Sequence, residues 1–93
     1  MEPELQTWQT LLGQNIVVDT NSSYIYIGKL VKADSSFITL EEVDVHDQKE
    51  GYSTKEKYVM EAKKFGIKKN RKSVFIRQDQ IISVSRFDDI IEY

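Results

Sequence analysis

Apolar and polar positions trade places every few residues along this chain, and the clearest unit lies near its end. Val74, Phe75 and Ile76 form one apolar run; Ile81, Ile82 and Val84 form another. β-Branched and aromatic residues of this kind favour strands. Arg77, Gln78, Asp79 and Gln80 make a polar knuckle between them, so the stretch predicts a strand, a sharp turn and a second strand. Upstream, residues 15–20 predict a strand with Ile16 and Val18 on one face. Asn21, Ser22 and Ser23 make a turn, because their side chains bond readily to their own backbone. Residues 24–33 predict a longer strand interrupted by Gly28. A glycine inside a strand marks a bend or bulge, and here it lets the strand curl and serve two sides of a small barrel. After a turn at Asp34, Ser35 and Ser36, residues 37–45 predict a third strand. Ile38 and Leu40 share a face there, and Glu41, Glu42 and Asp44 turn its far half to solvent. The fourth and fifth strands are expected at 73–76 and 80–87.

Helical spacing occurs twice. Residues 1–13 predict a short helix, with Pro3 in its first turn, Glu2 and Glu4 at its positive end and Gly13 as a left-handed stop. Leu5, Trp8 and Leu12 fall at i, i+3 and i+7, and Leu11 widens the stripe. Such a stripe predicts a helix packed across an open sheet end, with Trp8 a packing residue. The 27 residues 46–72 exceed the usual length of a structureless loop. Thr54 or Ser53 can cap a helix there, with Tyr58, Ala62 and Phe65 on one face and Gly51 and Gly66 as brackets; a long hairpin is the alternative. Ile90, Ile91 and Tyr93 in the acidic tail are expected to dock on the body or on a neighbour.

A helix followed by five strands, the second strongly bent, describes a mostly β fold. It is a small, strongly bent five-stranded antiparallel barrel of SH3-like type with an N-terminal helix. Open edges on the fourth and fifth strands invite pairing between copies. A head-to-tail contact of that kind closes into a ring when its rotation permits.

Ninety-three residues make one domain, 1–93, with 46–72 as a long basic connection and 88–93 as an acidic tail. Such a chain buries roughly 60–65% of its unfolded surface, so a sheet edge left open matters. The chain has no cysteine and hence no disulfide. It shows no apolar stretch of membrane-spanning length and no charged-then-apolar leader, and a cytoplasmic location is expected. Net charge is −2, unevenly spread. Residues 46–72 hold nine Lys/Arg against four Asp/Glu, a net +5; the remainder holds four against eleven, a net −7. A Debye length of about 8 Å lets the basic segment act as a local site despite the acidic body.

In order and spacing these residues resemble the Sm and Sm-like family over about 4–45 and 73–87. The resemblance rests on Leu11-Leu12-Gly13-Gln14, Ile16-Val17-Val18, Tyr26-Ile27-Gly28-Lys29-Leu30 and Val31-Lys32-Ala33-Asp34. It continues through Ile38-Thr39-Leu40-Glu41-Glu42-Val43 and Val74-Phe75-Ile76-Arg77-Gln78-Asp79-Gln80-Ile81. It implies a bent barrel that joins, fourth strand to fifth, into a homo-oligomeric ring binding single-stranded RNA in ribonucleoprotein assemblies. By resemblance, each nucleotide pocket is built from the turn after the second strand and from the arginine knuckle. Asp34 stands at the family's aspartate and Arg77 at its arginine. The family's asparagine is missing, with Phe37 at or beside its place, and Gln78 replaces a glycine. Barrel and ring transfer well; uridine specificity does not.

Arg77 can stack on a base or fork onto a phosphate, and Phe37 can supply the other side of a stack. Equally, Arg77 can pair with Asp34 or Asp79 and brace the two turns. Gln78 can bond a base edge or simply fill the pocket. Lys63, Lys64, Lys68, Lys69, Arg71 and Lys72, interleaved with Tyr58 and Phe65, make a phosphate track or a solvated loop. His46 beside Asp44 and Asp47 reads as a surface histidine, since a metal centre needs more convergent ligands. No cofactor, metal or reaction chemistry is expected. The two readings are an RNA-binding ring and a ring-shaped protein scaffold that has lost uridine-specific binding.

Overall fold

The computed structural model describes residues 3–50 and 53–92, with side chains from Thr7 onward. The expected helix start at Met1 and Glu2, the side chain of Leu5, the bracket at Gly51 and the docking of Tyr93 lie outside the described residues. The chain runs α1 (Pro3–Leu11), β1 (Asn15–Thr20), β2 (Tyr24–Ala33), β3 (Phe37–Asp47), α2 (Lys55–Phe65), β4 (Arg71–Arg77) and β5 (Ile81–Arg86). One-turn 3-10 segments follow β4 at Gln78–Gln80 and β5 at Phe87–Asp89. The five strands form one antiparallel sheet in the order β4-β3-β2-β1-β5, with β4 and β5 at its two edges. This is the small bent barrel with an N-terminal helix that the alternation predicts.

Period-2 alternation sends Ile16 and Val18 of β1 inward, together with Leu30 of β2 and Ile38 and Leu40 of β3, and an extra residue at Glu42 shifts the phase so that Val43 joins them. All six are essentially removed from water, and burying each stabilises the fold by about 1.5–3 kcal/mol. Trp8 and Leu11 of α1 close one side of this core. Leu11 rather than Leu12 is buried, which rotates the contact face slightly from the expected stripe. Past the helix, Gly13 takes φ +82°, a conformation that glycine adopts without penalty, and its N–H donates to Leu30 O at 2.7 Å.

Gly28 is where the sheet bends. The β2–β3 register shifts between Ile27 and Lys29. Opposite, Glu42 adopts φ +52°, so β3 carries an extra residue in left-handed geometry. A Cβ on Gly28 would stand 3.1 Å from Val43 Cγ2 and 3.2 Å from Glu41 O. The bulge is therefore packed directly on the glycine.

The residues between β3 and β4 contain a helix, not a prolonged hairpin. Thr54 caps it, its hydroxyl accepting from Lys57 N at 3.1 Å. α2 lies on the outer face of the sheet, where Val59 and Ala62 pack with Val17, Ile25 and Ile27 as a second core. Ile90 of the tail joins it, whereas Ile91 is exposed. At its N-terminal end Lys55 Nζ donates to Asp19 Oδ1 (2.6 Å), Thr20 O (3.1 Å) and Ser22 O (2.7 Å).

Two expectations change here. Phe65 leaves the helix's buried stripe and is 74% exposed, its place taken by Val59. Asp44, expected to face solvent, is only 6% exposed. The chain returning from α2 folds over it, and its carboxylate accepts from Lys68 N (3.2 Å) and Asn70 Nδ2 (3.3 Å). Such bonds offset the cost of burying the charge.

Candidate nucleic-acid interface

The turn between β2 and β3 is shaped by one carboxylate. Asp34 Oδ1 accepts from Ser36 N and Phe37 N, both at 2.8 Å. These two N–H donors, Phe37 foremost, hold its carboxyl below the ordinary 3.8. Asp34 therefore sets the geometry from which Phe37 enters β3.

Register then decides the neighbours. Phe37 pairs directly with Arg77, and Thr39 with Phe75. The intervening pairs, Ile38 with Ile76 and Leu40 with Val74, carry core residues. Alternation thus sends Phe37, Phe75 and Arg77 outward on one face. Phe37 is 42% and Phe75 71% exposed. With Val31, Lys32, Asp34 and Thr39 the two rings line an open, largely apolar cleft of about 470 Å³. Phe75 was not singled out as a site residue from the sequence. Its position two residues before Arg77, on the same strand face, is the signal that would have found it.

Arg77 donates to Asp79 Oδ2 at 2.6 Å, both side chains largely exposed. An exposed pair of this kind stabilises by only ~0–1 kcal/mol, whereas stacking one base on an aromatic or guanidinium plane contributes about 1–3 kcal/mol. The bond to Asp79 is thus too weak to hold Arg77 against a ligand. Gln78 is held more firmly. Its Oε1 accepts from Trp8 Nε1 at 3.1 Å, and its Nε2 donates to the Asp34 carbonyl. Its backbone N–H donates to Ser36 O at 2.8 Å. The knuckle, the Asp34 turn and α1 meet at this one side chain.

The basic residues do not form one strip with the knuckle. Lys63 Nζ donates to Phe87 O at 2.9 Å and lies 4.8 Å from the Phe87 ring centroid, so it fastens the end of α2. Lys64, Lys68 and Lys72 extend into solvent. Lys69 stands 3.9 Å from Glu42, and Arg71 donates to Asn70 O at 3.0 Å. Lys69, Arg71 and Lys72 share a shallow cleft with Glu42 and Asn70 at the start of β4. Arg77 ends the same strand, about 20 Å away at the rise of an extended chain. Of the interleaved aromatics, Tyr58 is stacked on His46 with centroids 4.2 Å apart. Burial, and then the Asp44 carboxylate, push its hydroxyl well above 10. Phe65 remains exposed beside Lys68. His46 also places Nε2 3.3 Å from Ser53 O, which makes it part of the α2 packing.

Among the described residues, no helix is long and apolar enough to cross a membrane. No family model matches the sequence, and no curated protein matches it. Solved structures do match in fold. An Sm protein of Pyrococcus abyssii in complex with a uridine heptamer aligns over 92% of this chain and 99% of its own, with TM-score 0.61 and 16% identity. A heptameric archaeal Sm protein aligns over 87% and 96%, with TM-score 0.55 and 16% identity. A chain of the NatC complex bound to CoA aligns over 82% and 78%, with TM-score 0.55 and 16% identity. Their shared architecture, together with the strand order and bent second strand described above, gives this chain the Sm-like fold.

Proposed function

We propose that this chain is a divergent member of the Sm-like family, a single domain over residues 1–93. In this reading its copies join into a ring that binds single-stranded RNA without reaction chemistry. The observation that carries the RNA reading is the register pair Phe37–Arg77 beside the Asp34-capped turn. An exposed aromatic and an exposed guanidinium on neighbouring strands give a base a planar surface on each. Lys68, Lys69, Arg71 and Lys72 would meet phosphates at the far end of β4, and Lys63 and Lys64 would add charge from the last turn of α2, where Lys63 also fastens the helix. The Sm-type neighbours, one in complex with a uridine heptamer, support the reading.

Two free sheet edges support the ring. Five alternating strands leave β4 and β5 pointing the same way. An antiparallel joint from β4 to the next copy's β5 turns that copy's sheet over, so the outward face of β4 continues into the inward face of the neighbouring β5. Exposed Phe75 on the first face would then meet Ile81 and Val84 on the second.

Titrating labelled oligo-U and oligo-A at two salt concentrations tests the binding, with light scattering for the mass. Saturable binding that weakens with salt and is lost in Arg77→Ala is expected. Absence of saturable binding at low salt, or binding indifferent to Arg77→Ala, would overturn it. The protein-scaffold reading is favoured by Gln78, whose amide is engaged on both halves within the chain. It predicts a ring by mass that retains no oligonucleotide.

A further inference from the structure

The two edges of the sheet carry opposite charge. At the start of β4, Lys69, Arg71 and Lys72 are exposed around their shallow cleft, and Glu42 is the one carboxylate in its lining. Directly after β5, Asp88 and Asp89 are exposed on the turn Phe87–Asp89. That turn is pinned at both ends. Phe87 O accepts from Lys63 Nζ at 2.9 Å, and Ile90, packed in the second core, donates its N–H to Phe87 O at 3.2 Å. The two carboxylates are therefore presented from a fixed position, which lowers the ordering cost of any contact they make. Within one copy the acids and the bases stand on opposite edges, with three strands between them. Among the described residues no ion pair joins them. A joint between copies changes their neighbours. In an antiparallel pairing the first residue of one strand lies opposite the last of the other. β4 has seven residues and β5 six, so end-to-end pairing sets Arg71 beside the neighbouring copy's Arg86. Asp88 and Asp89 follow Arg86 within roughly 7–10 Å of extended chain, which carries them alongside Lys69 and Asn70. Without these acids the joint would press Arg86 against Arg71 and Lys72, a like-charge contact that destabilises strand pairing.

We propose that the Asp88–Asp89 turn of one copy docks on the Lys69, Arg71 and Lys72 cleft of the next, and that this charged contact fastens and orients the joint. The proposal rests on the ring reading above and adds a second pair of surfaces to the strand pairing. Each copy supplies acids at one edge and bases at the other, so the contact is head-to-tail. Pairing β4 with β4 would set bases on bases, and pairing β5 with β5 would set acids on acids, so the same charges disfavour the wrong joints. An oligonucleotide backbone reaching the cleft would compete with the turn for the same cations.

The test is the concentration midpoint of assembly, read by light scattering on the full chain during dilution. It compares wild type with Lys69→Glu/Arg71→Glu, with Asp88→Lys/Asp89→Lys and with all four substitutions combined, each shown folded by circular dichroism. Each reversal should raise the midpoint by about 10-fold or more at low salt, since exposed pairs turn from attraction to repulsion. The combined variant should recover the wild-type midpoint, because opposite charges again meet across the joint with their signs exchanged. Wild type itself should assemble less readily at about 1 M salt, where the Debye length falls to roughly 3 Å. This last measurement needs no variant, and a wild-type midpoint indifferent to salt overturns the contact. A ring whose midpoint neither reversal moves, or whose reversals are not rescued in combination, overturns the contact and leaves the ring reading intact. An unmoved midpoint with weaker oligo-U binding in Lys69→Glu/Arg71→Glu gives these cations to phosphates and overturns it as well. A wild-type chain that stays monomeric at both salts overturns the ring reading and the contact with it.

Discussion

Replacing Gly28 with alanine puts a methyl group where two backbones approach closely in the barrel. The new Cβ would meet Val43 Cγ2 at 3.1 Å, Glu41 O at 3.2 Å and Val43 Cα at 3.3 Å. Two of these three atoms are backbone, and they flank Glu42, whose left-handed φ of +52° already fixes the bulge. Neither strand can yield without disturbing the register on both sides of the bend. Overpacking of this kind costs about 1–3 kcal/mol. Alanine recovers about 0.4–1 kcal/mol by restricting the unfolded chain. The net expectation is a loss of about 1–2 kcal/mol, or on the order of 5–10 °C in Tm for a domain of this size. Urea denaturation at one fixed protein concentration measures it, since assembly would otherwise shift the midpoint. The midpoint should fall while m stays constant. Glu42→Gly is the companion variant and should gain about 0.5–1 kcal/mol by relieving the left-handed residue. The two sites touch, so their effects should not add. A Gly28→Ala protein with the wild-type midpoint and slope would show that the bend does not depend on the missing side chain.

Three further outcomes are expected. Phe75→Glu should leave the barrel folded but lower the mass seen by light scattering to that of a monomer, because a charge would stand at the β4 edge; an unchanged mass would place the contact elsewhere. Val59→Ala should cost about 1–3 kcal/mol by opening a cavity between α2 and the sheet, read as a lower urea midpoint. The Asp34 carboxyl titrates below 3.8 in the folded chain. Its contribution to the turn should be complete above the unfolded value and fade only as pH falls through the lower folded one. Carboxyl NMR titration checks the position of that step, and an Asp34→Asn protein should lack it.

The core and the turns were legible because each follows from local rules. Ile38 and Leu40 alternate with Phe37 and Thr39, and a period of two sends one set inward wherever the strand lies. Asp34 precedes two serines, and an aspartate there captures the following N–H groups in almost any context. Pocket chemistry was only half legible. That Arg77 and Phe37 belong together came from the resemblance, and β3–β4 register makes them direct partners. The sequence leaves two roles open for Gln78, and the hydrogen bond to Trp8 spans a sequence separation that no local pattern reports. The lysine run looked continuous because its members are adjacent in sequence. In three dimensions, Lys63 sits in the last turn of a helix and packs against Phe87, whereas Arg71 and Lys72 open a strand.

The sequence by itself determined the strands, the bend at Gly28 and the first helix. Each depends on backbone preference and on the spacing of apolar residues, quantities carried by neighbouring positions. Only the tertiary structure decided that Val17 and Ile25 are buried as well as Ile16 and Val18, because α2 returns to cover the second face. It also decided that Asp44 is inside, that Phe65 is outside and that Gln78 is spoken for. Each of these depends on which distant surface arrives opposite a residue, and burial is a property of the pair rather than of the residue.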